Sequence, residues 1–173
     1  MIIESKSQLM ELVKYQNVPL IGAEIGVCGG GTGIQFLRDG LEKLYSIDSW
    51  RHLEQTGDGH QPDIWHLINM LTAASNLTEY GDKSVMIRGR SAAVSHLIPD
   101  ESLGILYIDG DHSHNGVSRD LFNYVPKVVR GGIVAMHDYL NSGYGVTEAV
   151  EEFCFRIYEI HQIDNDGAYF IKS

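Results

Sequence analysis

Residues 24–33, Glu24-Ile25-Gly26-Val27-Cys28-Gly29-Gly30-Gly31-Thr32-Gly33, decide how the rest of the chain is read. The apolar run 22–27 leads into this stretch and reads as a strand, and residues 32–39 lead out of it as a helix that Gly40 ends. Glycines at a strand-to-helix junction let the backbone turn sharply and approach a ligand, while the first N–H groups of the helix have no intrahelical partner. Such a turn suits a nucleotide-like or amino-acid-bearing ligand. Its register is not that of the dinucleotide pattern GxGxxG: the third position counted from Gly26 is Cys28, and no other glycine start completes the spacing. NAD is thereby disfavoured. For Cys28 itself the expected role is that of a small residue in the turn rather than a reactive thiol.

Outward from the turn, short apolar or β-branched runs alternate with amphipathic stretches, the pattern of helices packed on a mostly parallel sheet. Ser5 and Gln8 have capping-box spacing, and Leu9, Leu12 and Val13 share one face of a leading helix over 5–16. Residues 44–48 read as the second strand. Its last residue, Asp48, lies 22 positions after Gly26, where a carboxylate can accept two hydrogen bonds from a ribose diol. Together the turn and this acid imply an adenosine.

Residues 51–61 read as a loop or lid, since Gly57, Gly59 and Pro62 interrupt this part of the chain. Beyond it Ile64, Leu67, Ile68, Leu71 and Ala74 recur at helical spacing and predict a core-facing helix. Residues 84–87, 103–109 and 132–136 are strands three to five, short and apolar as a sheet covered on both faces requires. A last long helix is expected over 145–157. Strands over 158–163 and 168–171 then flank Asp164-Asn165-Asp166-Gly167, a tight-turn signal for an antiparallel hairpin.

At 173 residues the chain is expected to be one folding unit, residues 1–173. Its formal net charge of −10 offers no basic field to nucleic acid or to an anionic membrane, so neither is an expected partner. No apolar stretch approaches the roughly 20 residues of a membrane helix, and the first residues show no secretory pattern. A cytoplasmic location is the expectation. Cys28 and Cys154 lack metal-like spacing and are expected to be free thiols.

In this order these residues resemble a class I S-adenosylmethionine-dependent methyltransferase, with residues 24–33 as the cofactor motif and Asp48 as the ribose acid. The likeness extends to Ile87-Arg88-Gly89-Arg90-Ser91, similar to the segment beside the adenine in small-molecule O-methyltransferases. It also takes in Tyr107-Ile108-Asp109-Gly110-Asp111-His112-Ser113 and Gly131-Gly132-Ile133-Val134-Ala135-Met136-His137-Asp138-Tyr139. These two blocks resemble the bacterial branch that includes macrolide-sugar and catechol-like O-methyltransferases. The resemblance implies a Rossmann-like, mostly parallel seven-stranded α/β sheet with helices on both faces and an antiparallel last strand. It implies S-adenosylmethionine as cofactor, held by Glu24, Gly26, Gly29, Gly31, Asp48, Ser49, Trp50, Gly89, Ser91 and Asp109. The implied acceptor is a small molecule, methylated at oxygen.

That branch also implies a divalent metal, usually Mg2+, which maps onto Asp109, Asp138 and one neighbour. Here the neighbour is His137, where catechol-like members carry Asp-Asn and sugar-modifying members Asp-Asp. Imidazole donors shift the metal preference toward manganese, iron or zinc. Strands four and five of such a sheet are adjacent, so Asp109, Asp111, His112, His137 and Asp138 converge at the reactive end of the cofactor. A hydroxyl acceptor needs its proton eased away, and Asp109, His112 or His137 is the candidate group. A plainer role for Asp111 and His112 is to cap the helix that begins near Ser113 and Asn115. His114 is expected at the surface. His52, His60, His66, His96 and His161 are expected to be solvated or satisfied side chains, with His60 and Trp50 flanking the lid. Trp50 and Tyr139 either line the pocket or pack a loop.

Two rivals stand beside this reading. A dinucleotide-dependent oxidoreductase predicts NAD binding without response to S-adenosylmethionine. A non-catalytic cofactor-binding domain keeps the pocket and transfers nothing. Little sequence remains to enclose an acceptor, so a homo-oligomer is a candidate source of the missing wall, and a strict monomer on size exclusion would count against it. Acceptor recognition is expected in residues 51–61 and 140–145.

Overall fold

The computed structural model describes residue 3 and residues 5–53, 61–163 and 167–173. Of the features expected above, His60, most of the 51–61 loop and three residues of the hairpin turn lie outside them. Seven strands form one sheet: β1 (Ile21–Ile25), β2 (Lys43–Asp48), β3 (Ser84–Arg88), β4 (Leu103–Ile108), β5 (Val128–Met136), β6 (His161–Ile163) and β7 (Gly167–Ile171). They lie in the order β3-β2-β1-β4-β5-β7-β6. The first five are mutually parallel, and β7 runs antiparallel to both β5 and β6. The hairpin at the end of the sheet is thus present, with β7 inserted between β5 and β6.

Among the described residues six α-helices cover the two faces. On one side α1 (Lys6–Tyr15), α2 (Gly31–Arg38) and α3 (Asp63–Thr78) bury Leu9, Met10, Val13, Phe36, Leu37, Ala73 and Leu77 against Leu44, Ile105, Tyr107, Ile133 and Ala135. On the other, α5 (His114–Tyr124) and α6 (Val146–Cys154) bury Val117, Leu121, Tyr124, Val146, Ala149 and Val150 against Ile25, Ile47, Leu106, Ile108, Val134 and Met136. The short α4 (Ser91–Val94) lies beside α5. Every residue of β4 is buried, as expected of a central strand covered on both faces. The cap of α1 forms as its sequence predicts, with Ser5 Oγ accepting from Gln8 N at 3.3 Å.

One expectation is overturned. The helix over 63–78 exists, but its apolar stripe does not face the core: Ile64, Leu67, Ile68 and Leu71 are 42–61% exposed. The inward face is His66, Ala73 and Leu77. Helical period locates a stripe without fixing which side the sheet lies on, and here the small Ala73 lets the helix pack against Gly30. Among the described residues no helix is long and apolar enough to cross a membrane.

Candidate active site

Strand register builds the site. Ile25 pairs with Ile47 and with Ile108, and Ile108 with Met136, so these four form one row across the sheet. The residue after each therefore stands at the carboxyl edge of the sheet: Gly26, Asp48, Asp109 and His137. The ladder continues one step past the strands, through Gly26 N to Ile47 O at 2.9 Å, Asp109 N to Ile25 O at 2.8 Å and His137 N to Ile108 O at 3.0 Å. This edge is where open α/β sheets bind ligands.

A cleft of about 1420 Å³ runs along the edge, enough for a nucleotide-sized ligand and a small second molecule together. It is lined by Glu24, Gly26, Gly29, Gly31, Asp48, Ser49, Trp50, Gly89, Ser91, Asp109 and His112. All ten residues expected to hold a cofactor therefore share one cavity.

The glycine turn is held from below by Asp48. Its Oδ2 accepts from Val27 N at 2.9 Å and Cys28 N at 3.0 Å, and its Oδ1 accepts from Trp50 N at 2.8 Å. Trp50 is 3% exposed and donates from Nε1 to Cys28 O at 2.9 Å, so it secures the turn instead of standing free in the cleft. Gly26 has φ +85°, and a Cβ there would lie 2.0 Å from Asp109 O, which only glycine avoids. Three non-glycine residues with positive φ, Cys28, Trp50 and Asp138, stand around the same edge. Backbone held in that region costs on the order of 1–3 kcal/mol per residue and concentrates at ligand sites.

Glu24 lies under the start of α2, 1% exposed, with Oε2 lacking a hydrogen-bond partner. A Cβ on Gly33 would sit 2.7 Å from that oxygen, so Gly33 makes room for the carboxyl. Burial pushes Glu24 up to about 8, Asp109 and Asp48 add to the rise, and Lys6 opposes it. The folded state thus holds a proton that the unfolded chain releases at the ordinary value of 4.5. The stabilising contribution is complete below that value and is lost as pH rises through about 8. Glu24→Gln should remove this pH dependence, on the order of 2–4 kcal/mol across the window, so that thermal melts of wild type and variant between pH 5 and 9 diverge. Parallel melting curves would contradict it.

Beside the glycine turn four groups meet, of which Asp109 and His112 line the cleft. His112 Nε2 lies 3.3 Å from Asp109 Oδ1 and 3.4 Å from Asp138 Oδ2. His137 Nδ1 lies 3.4 Å from Asp109 Oδ1 and 3.1 Å from Asp138 Oδ2. Asp109, His137 and Asp138 present ligand atoms within 4.8 Å of one another. His112 is turned to this cluster and away from a capping role: the cap of α5 is Ser113, whose Oγ accepts from Gly116 N at 3.1 Å. Asp111 accepts from Ser113 N at 3.0 Å and pairs with Arg119 at 3.6 Å, so it builds the turn and stays out of the cluster.

Several side chains depart from their expected places. His66 is 7% exposed, faces the same cleft, and its Nε2 has no hydrogen-bond partner, unlike the solvated or satisfied side chain expected. Its position on the inward face of α3 follows from the reversed stripe. Tyr139 is 6% exposed in the core with its hydroxyl donating to Glu151 Oε1 at 3.2 Å, outside the cleft. Tyr144 stacks on His112 with ring centroids 4.7 Å apart, in the 140–145 loop named above for acceptor recognition. His114 is at the surface as expected, 2.9 Å from Glu152 Oε2. Neither cysteine forms a disulfide among the described residues; Cys28 is exposed, with Sγ 3.4 Å from Asn69 Oδ1, and Cys154 is buried.

The profile of a family described as a methyltransferase domain matches residues 23–139. A curated relative, the uncharacterized protein y4gI of Sinorhizobium fredii, is 26% identical over 106 residues, 60% of this chain. The chain spans 11% of that relative's length. Among solved structures, the O-methyltransferase NovP superposes with a TM-score of 0.76 at 24% identity, covering 97% of this chain and 78% of NovP. The O-methyltransferase TomG from Streptomyces achromogenes, solved in complex with SAM, gives 0.64 at 15% identity, covering 97% of this chain and 79% of TomG.

Proposed function

The chain belongs to the methyltransferase-domain family, and from that premise we propose that it transfers the methyl group of S-adenosylmethionine to an oxygen of a small molecule. One observation carries the proposal: strand register sets Gly26, Asp48, Asp109 and His137 in a single row at the carboxyl edge of the sheet, along which a cleft lined by the first three runs. The cofactor motif of a methyltransferase thus adjoins a cluster of Asp109, His112, His137 and Asp138, of which Asp109 and His112 line the same cavity. TomG, bound to SAM, and NovP, both O-methyltransferases with this fold, favour the same reading.

The residues fit an adenosyl ligand. Asp48 lines the cleft with Oδ1 accepting only one of its three backbone hydrogen bonds, which keeps a lone pair for a ribose hydroxyl; the open backbone at Gly29 and Gly31 admits the amino-acid portion, and Gly89 with Ser91 bounds the base. S-adenosylmethionine supplies an electrophilic methyl group on a sulfonium centre. The chain's work is to align an acceptor oxygen with that methyl and to take the acceptor's proton. His112 and His137 are placed to receive it, each with a ring nitrogen within 3.5 Å of carboxylate oxygens of Asp109 and Asp138 that orient the ring.

The same cluster fits a divalent metal, with Asp109, His137 and Asp138 as the donors. A metal there supplies Lewis acidity toward an acceptor hydroxyl. Two carboxylates with an imidazole suit manganese, iron, cobalt or zinc better than magnesium, which favours oxygen donors alone. Titration with cobalt(II) should give saturable visible absorption at one equivalent, unchanged in His114→Ala and lost in Asp138→Ala; absence of uptake by wild type would remove the metal from the proposal.

A crystal structure with S-adenosylhomocysteine tests the whole reading. The ribose is expected against Asp48 with the sulfur facing Asp109 and His137. A ligand seated elsewhere, or reversed in the cleft, would overturn it.

A further inference from the structure

We propose that Asp120 fixes the hydrogen-bonding polarity of Ser91, so that the base end of the cleft selects a 6-amino purine over a 6-oxo purine. The proposal deepens the cofactor reading above and rests on it.

Ser91 opens α4 directly after β3 and lines the cleft with Gly89 and Arg90. In the sheet order β3 lies beyond β2, on the side away from β4 and β5. A ligand whose ribose meets Asp48 and whose sulfur end faces Asp109 therefore directs its base toward Ser91. The Ser91 hydroxyl is already engaged: its Oγ donates at 2.5 Å to Oδ1 of Asp120, which lines the same cleft. Asp120 is carried by α5 and is 2% exposed. One turn further on, Tyr124 OH donates to Ser91 O at 2.7 Å, so the backbone of Ser91 is pinned by the same helix.

A serine hydroxyl owns one proton and two lone pairs. An ionised carboxylate only accepts, so Asp120 commits that proton to itself and leaves the lone pairs of Ser91 as what a base can meet. A 6-amino group donates to those lone pairs. A 6-oxo group offers Ser91 only lone pairs of its own, so two acceptors face one another with no proton between them and the Ser91 contact is lost, the mismatch by which hydrogen-bonding sites discriminate. Burial raises Asp120 to about 6, partly offset by the Ser91 hydrogen bond and by Arg119, so the carboxylate form prevails at pH 7.5. Asp111 adds to the rise, and burial together with the Asp120 charge raises Tyr124 on the same helix.

The test is calorimetric titration of the full chain at pH 7.5 with S-adenosylhomocysteine and with its 6-oxo counterpart, S-inosylhomocysteine. Wild type should prefer the adenosyl ligand by at least about 30-fold. In Asp120→Asn the side-chain amide can either accept or donate, which frees the Ser91 proton to turn into the cleft, and the preference should fall about 10-fold. Ser91→Ala, which keeps Asp120 and removes the hydroxyl, should also lose the preference and serves if Asp120→Asn fails to fold. A merely structural role for Asp120 would weaken both ligands equally and leave the ratio alone; that result, or equal affinities in wild type, overturns the proposal. If wild type binds neither ligand, the cofactor reading falls and this inference with it; binding of both without preference removes the inference alone.

Discussion

Replacing Gly26 by alanine is expected to cost about 3 kcal/mol or more of folding stability and to abolish measurable S-adenosylhomocysteine binding. Two effects add at this one position. The backbone has φ +85°, which an alanine adopts only with strain, and the new methyl would lie 2.0 Å from Asp109 O and 2.6 Å from Gly110 Cα. Neither obstacle is the end of a flexible side chain. Either the turn lifts off β4 or the backbone at Asp109 retreats, and Asp109 is the acid around which His112 and His137 are arranged. Urea midpoints and calorimetry on the purified variant read the two effects separately. Gly31→Ala is the companion experiment, since nothing lies within 4 Å of a Cβ there. It should keep the wild-type midpoint to within about 0.5 kcal/mol and lose affinity alone. A Gly26→Ala variant with unchanged midpoint and affinity would show that the close crossing of the turn and β4 is not needed.

The second large effect is expected at Asp48. Removing its carboxylate in Asp48→Ala strips three backbone N–H groups, those of Val27, Cys28 and Trp50, of their acceptor. Hydrogen bonds to a charged group contribute about 1.5–3 kcal/mol each, and three sharing one carboxylate are not additive, so a loss of about 2–4 kcal/mol is expected. The ribose contact goes with it, and S-adenosylhomocysteine affinity should fall by about 100-fold or more. Asp48→Asn keeps one acceptor oxygen and should fall between wild type and alanine in both measurements. If Asp48→Ala loses stability and keeps its affinity, the acid serves the turn alone.

The parts of this arrangement that were legible in the sequence are those set by local order along the chain. The glycines of the turn, the acid closing the second strand and the polar residues closing the fourth and fifth strands follow from where each strand ends. Register then does the rest, because Ile25, Ile47, Ile108 and Met136 share one row. Asp109, His112, His137 and Asp138 meet for this reason, with Asp109 and His137 each the first residue beyond its strand.

Features that depend on which side of an element meets its neighbour were not legible. The stripe of Ile64, Leu67, Ile68 and Leu71 has the period of a buried face, yet α3 turns it outward and buries His66 and Ala73 instead. Period alone carries no sign. His112 had two readings, cap or site, and the choice rests on Ser113 taking the cap, a matter of backbone geometry three residues long. The pair Ser91 and Asp120 is 29 residues apart on different elements, joined only when α5 packs beside α4. Nothing in the spacing marks it.

The central claim is that the bend at residues 26–33 and the Asp48 carboxylate grip an adenosyl amino acid. Calorimetric titration of folded wild-type protein with S-adenosylhomocysteine, alongside NAD as the competing ligand, tests it most directly. Saturable one-to-one binding of the former with no heat from NAD is the predicted result. Silence toward S-adenosylhomocysteine, or uptake of NAD in its place, would contradict the account.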